Sequence, residues 1–120
     1  MRLAELYLIR AEARAKLGNN IAGAQDDLDM VRQRALPTAV DNTDTGTTLQ
    51  SAILLERRLE LAFEGQRLWD LMRNKLDIVR TQCTSSNCHI PYGSESVILP
   101  IPQNETDANP IIEQNPGYDL

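Results

Sequence analysis

Cys83 and Cys88 enclose four residues and are followed at once by His89, a set whose sulfurs and imidazole could hold a metal or close a disulfide. A structural zinc site takes four ligands, and only three stand together here. The spacing leaves a disulfide, two unpaired cysteines and a metal site as alternatives. His89 has no serine-histidine-acid or cysteine-histidine-acid set in a recognisable context, so it reads as a loop histidine. The second set is Arg57, Glu60, Glu64 and Arg67, spaced three, four and three. At about 100° per residue these four fall on one helical face, opposite an apolar arc of Leu55, Leu59, Ala62 and Phe63. Their signs run plus, minus, minus, plus, so the pattern predicts i,i+3 pairs of Arg57 with Glu60 and of Glu64 with Arg67. Such pairs contribute roughly 0.2–0.5 kcal/mol each in water. Against a neighbouring helix, removing one partner would cost about 3–5 kcal/mol by stranding the other charge. No cleft motif surrounds these carboxylates, and they read as a structural charge network rather than a general acid and base.

Other candidates are weaker. Asn104-Glu105-Thr106 fits a glycosylation sequon, which matters only in a glycosylating secretory host. Trp69 and Tyr118 could stack on a sugar, since aromatic rings join an apolar face to a polar edge. Trp69 shares helical spacing with Met72 and Leu76, however, and is expected in the core. No glycine-rich phosphate loop is present. The net charge of −5 and pI near 4.8 argue against nucleic acid as a partner, which would need a basic patch. No apolar run approaches the ~20 residues of a membrane span, and no secretory signal is recognisable. A chain of 120 residues can build one domain. Met1 leads into the first helical pattern without a cap residue, which predicts that the chain is a piece of something longer.

Helices must position these groups. A first helix is predicted from Arg2 to Leu17, apolar around most of its circumference, with Glu5, Glu12 and Lys16 as a polar strip. Ala4, Ala11 and Ala15 on one side would permit close approach of a second backbone. Gly18 and Asn19 stop this helix. Asn20 caps a second one, Ile21 to Ala35, with Ala24, Leu28 and Val31 as its core stripe and Pro37 beyond its end. The short turn makes residues 2–35 an antiparallel hairpin of tetratricopeptide-like length. A polar loop over 36–47 precedes a third helix at about 48–64, with capping-box spacing between Thr47 and Gln50. A break near Gly65 and a shorter helix follow. Residues 80–96 read as an irregular excursion, and VILPIP at 97–102 as a strand-like run confined by its prolines to an edge.

Four stretches now stand in a particular order: RLAELYLIRAEARAKLG at 2–18, ERRLELAFEGQRLWDLMR at 56–73, VILPIP at 97–102 and NPIIEQNPGY at 109–118. Together they resemble the C-terminal part of the SusD/RagB family of outer-membrane nutrient-binding lipoproteins. The resemblance implies a mostly α fold: tetratricopeptide-like hairpins over about 2–76, then an irregular, loop-rich segment over about 77–120 with at most a short edge strand. It implies a surface-exposed protein at the outer membrane, held there by a lipid anchor absent from this chain and associated with a SusC-like TonB-dependent transporter. Its ligand would be an oligosaccharide or peptide, captured without catalysis, cofactor or metal. No ligand-binding residue can be carried onto these positions. Arg57, Glu60, Glu64, Arg67 and Asp70 match family scaffold positions, and an extracytoplasmic location favours the Cys83–Cys88 disulfide. The alternative function is a free-standing helical-repeat module that binds another protein, and the sequence upstream of Met1 would separate the two. An enzyme would need convergent polar groups in a cleft, which the sequence does not show.

Overall fold

A computed structural model describes residues 2–85 and 87–118. It divides into two compact bodies, residues 1–70 and 71–120.

In the first body, helix α1 (Leu3–Leu17) buries Ala4, Leu8, Ala11 and Ala15 along one side. Gly18 ends it in the left-handed conformation at φ 67°, its N–H donating to the Arg14 carbonyl, a position where a residue without Cβ is unstrained. Asn20 caps α2 (Ile21–Ala35), its Oδ1 accepting from the Gly23 N–H at 2.9 Å. The α2 stripe Ala24, Leu28 and Val31 meets α1, and the alanines of both helices let the two backbones close up. Leu49 and Ile53 of α3 (Gly46–Glu60) complete the core on the other side of α1. The loop between α2 and α3 is strapped to α2: Asp29 Oδ2 accepts from the Asn42 N–H at 2.7 Å, and Gln25 Nε2 donates to the Asp44 carbonyl at 2.8 Å.

Several expectations change here. Glu12, assigned to a polar strip, is buried and pairs with Lys16 Nζ at 2.7 Å. α3 begins at Gly46 after Thr45, and Thr47 uses its carbonyl to accept from Ser51 Oγ instead of capping through a box with Gln50. α3 also stops at Glu60, because Phe63 and Gly65 adopt φ of 65° and 74°, and a left-handed residue cannot continue a right-handed helix. The expected apolar arc is the outer face: Ile53 is 0% exposed but Leu59 is 62% exposed and Phe63 lies fully in solvent. α3 is apolar on two sides, and only the side carrying Leu49, Ile53 and Arg57 can face α1. α4 (Arg67–Arg73) resumes after the break. Trp69 on it is 68% exposed, so it is not a core residue among the described ones.

In the second body, β1 (Ile78–Val79) pairs antiparallel with β2 (His89–Ile90), Ile78 opposite Ile90 and Val79 opposite His89. VILPIP forms no strand. Its backbone is held by side-chain amides from the tail instead: the Ile101 N–H donates to Gln114 Oε1 at 2.7 Å, Gln114 Nε2 donates back to the Ile101 carbonyl at 2.9 Å, and Asn115 Nδ2 donates to the Leu99 carbonyl at 2.7 Å. The prolines withhold the N–H groups a ladder needs. Amides, each with a donor and an acceptor, satisfy what remains. Pro102 is followed by an unpredicted helix, α5 (Gln103–Ala108), which carries the sequon residue Asn104 exposed.

Candidate functional site

The charged residues of the Glu56–Arg73 stretch meet partners other than those their spacing suggested. Arg57 points into the body from the buried side of α3, and its Nε donates to Asp70 Oδ2 on α4 at 2.9 Å. These two side chains are 5% and 4% exposed. Glu60 takes Arg34 Nη2 of α2 on its Oε2 at 2.6 Å, while Arg2 donates to the Glu60 carbonyl at 2.8 Å. Glu64 pairs with Arg2. Because α3 ends at Glu60, the four charges no longer share one helical face, and the expected i,i+3 pairs give way to contacts between separate elements. Two buried atoms stay unbonded among the described residues: Arg57 Nη1 and Glu60 Oε1.

A second ion cluster escaped the sequence reading. Asp27 lies on the buried side of α2 and accepts from Arg10 Nε at 2.9 Å, Arg10 Nη2 at 2.7 Å and Arg14 Nη1 at 2.7 Å. Hydrogen bonding to Asp27 raises the Arg10 pKa, and the Asp27 charge adds to that. The available signal was Asp27 between Ala24 and Leu28 on the core stripe, facing a helix with arginines one turn apart.

Beside the Arg57–Asp70 pair lies an open cleft of about 480 Å³, with Arg58, Phe63, Arg67 and Leu68 among its lining residues. Burial lowers the Arg67 pKa, Arg58 lowers it further, and Asp70 acts in the opposite direction. Like charges have been brought together here. No described helix is long and apolar enough to cross a membrane, and no group of three or more metal-type ligands occurs among the described residues.

In the second body, Cys83 and Cys88 are joined by a disulfide with a Cα–Cα distance of 5.5 Å, inside the β1–β2 hairpin. His89 Nε2 lies 2.8 Å from Asp77 Oδ2, and Asp77 Oδ1 accepts from the Tyr92 N–H at 2.8 Å. The Tyr92 hydrogen bond, then that of His89, holds the Asp77 carboxyl below its ordinary range. Among the described residues, no acid-base-nucleophile set forms around His89. The loop is short, so reducing the disulfide should lower stability by no more than about 2–3 kcal/mol. Protein prepared under oxidising conditions should gain the mass of two hydrogens on reduction. Two alkylatable thiols before reduction would contradict the pairing.

The SusD family model matches residues 1–118, nearly the whole chain. This chain belongs to the SusD family. SusD-like protein P25 of Formosa agariphila is 37% identical over 98% of this chain and 24% of its own length. Among solved structures, a Bacteroides vulgatus protein provisionally described as sugar-binding shares 36% identity with a TM-score of 0.81, over 99% of this chain and 28% of that one. A second SusD-superfamily structure from the same organism shares 35% identity with a TM-score of 0.79, over 100% and 28% of the two chains. The mostly helical fold is therefore the SusD-family fold of this region. This SusD-family chain spans about a quarter of the length of the curated relatives it matches.

Proposed function

We propose that this chain is one part of a larger SusD-family protein that captures oligosaccharides or peptides at the bacterial cell surface and delivers them, unchanged, to a SusC-like TonB-dependent transporter. In this reading residues 1–120 act as scaffold, helical over about 2–76 and irregular over about 77–120, and the lipid anchor and ligand contacts lie outside them. The observation that carries it is the family match across residues 1–118. The likeness to a Bacteroides vulgatus structure with a provisional sugar-binding description supports the ligand class. The charge pairs fit the scaffold role, because Arg57 with Asp70 and Arg34 with Glu60 each tie two helices together and satisfy one another's charge.

Affinity purification of the full-length protein from membranes of its own organism tests the reading. The expected result is copurification of a TonB-dependent transporter encoded beside it, with saturable binding of an oligosaccharide or peptide that is recovered intact. Recovery of a cytoplasmic protein partner instead, with no transporter, would favour the free-standing helical-repeat module. Turnover of the bound ligand would make the protein an enzyme.

A further inference from the structure

We infer that the cleft between the end of α3 and the start of α4 is a binding site for an oxyanion, a carboxylate or sulfate group, held by Arg58 and Arg67 with the buried Arg57 charge behind them. The inference stands apart from the nutrient-capture reading, which requires no charged ligand. Three guanidiniums line this cleft against a single carboxylate, Asp70, and that carboxylate already accepts from Arg57 Nε. Two positive charges are left over. The chain as a whole is acidic, at −5, so this local surplus runs against the composition.

The second observation is Arg57 itself. Its side chain is about nineteen-twentieths buried, and its Nη1 has no hydrogen-bond partner among the described residues. Enclosed by protein, Nη1 meets nothing in the cleft, so Arg57 acts on a cleft anion through its charge. Burial and the neighbouring Arg58 destabilise the Arg67 charge, and the charge of a bound anion would offset both effects. Guanidinium suits the task, since its planar fork meets two oxygens of a carboxylate or sulfate at once and its charge strengthens both bonds. Gln66 also lines the cleft, and Phe63 offers an apolar wall on which the body of a larger acidic ligand could rest. The volume of about 480 Å³ falls within the ~300–1,000 Å³ of small-molecule sites.

Calorimetric titration of the protein with sodium sulfate, sodium glucuronate and glucose, at constant ionic strength set with chloride, tests the site. Saturable binding of sulfate or glucuronate, with glucose inert, is expected. Sulfate alone would assign an inorganic anion, and tighter binding of glucuronate an acidic sugar; either supports the site. Arg58→Gln and Arg67→Gln should each weaken binding about tenfold, the scale of one charge-assisted pair. Their combination should abolish it. Both side chains are less buried than Arg57, and circular dichroism checks that the variants fold. Should one not fold, Arg→Lys at the same position keeps the charge, loses the fork and should bind with intermediate affinity. Wild-type protein that binds neither anion saturably, or a folded double variant or lysine variant that binds as wild type does, overturns the proposal.

Discussion

Replacing Asp70 with alanine is expected to destabilise the first body by about 3–5 kcal/mol, because it strands the largely buried Arg57 guanidinium without its partner. For a body of this size that corresponds to a fall in Tm of at least about 10 °C. The cost comes from the abandoned charge rather than from any large net gain in the native pair. Taking both ions out of water nearly cancels their attraction, so a buried pair is worth far less than the penalty of breaking it on one side. A second variant separates the two contributions. Arg57→Met combined with Asp70→Leu removes both charges and fills the space with apolar side chains, and it should recover most of the lost stability. Thermal unfolding by circular dichroism decides between them. A single variant as stable as wild type would mean that the pair is open to solvent, and a double variant as unstable as the single would mean that it supplies stability outright.

The second large effect distinguishes the two apolar sides of α3. Ile53→Ala should cost about 2–5 kcal/mol, since Ile53 is fully buried against α1 and its removal leaves a cavity as well as losing apolar burial. Leu59→Ala, six residues along the same helix, should change stability by no more than about 0.5 kcal/mol. Chemical denaturation of the two variants measures the difference directly. Equal losses would mean that both sides of α3 are covered in solution, and a larger loss at Leu59 would reverse the assignment of the buried face.

What the sequence determined by itself was local. Gly18 is left-handed because a residue without Cβ is needed there, Asn20 caps because its amide reaches an N–H three residues on, and Pro37 cannot prolong a helix. Each signal acts over one turn of chain, so the hairpin of α1 and α2 and the break near Gly65 were legible without knowing what lies beside them. The family resemblance likewise rested on ordered residues, and it anticipated the mostly helical class.

Tertiary structure alone decided which partners the charges and the apolar faces meet. Arg57 and Glu60 stand at helical spacing, yet Arg57 meets Asp70 thirteen positions on and Glu60 meets Arg34 twenty-six positions back, because α3 stops at Glu60, ahead of the left-handed Phe63. Leu55 and Leu59 match Leu49 and Ile53 in hydrophobicity, and only the position of α1 chooses between the two sides. The Asp27 cluster and the amide clamp on VILPIP depend in the same way on where distant segments arrive. Periodicity places a side chain on a face, but the element opposite that face determines whether it is buried, paired or left to bind something else.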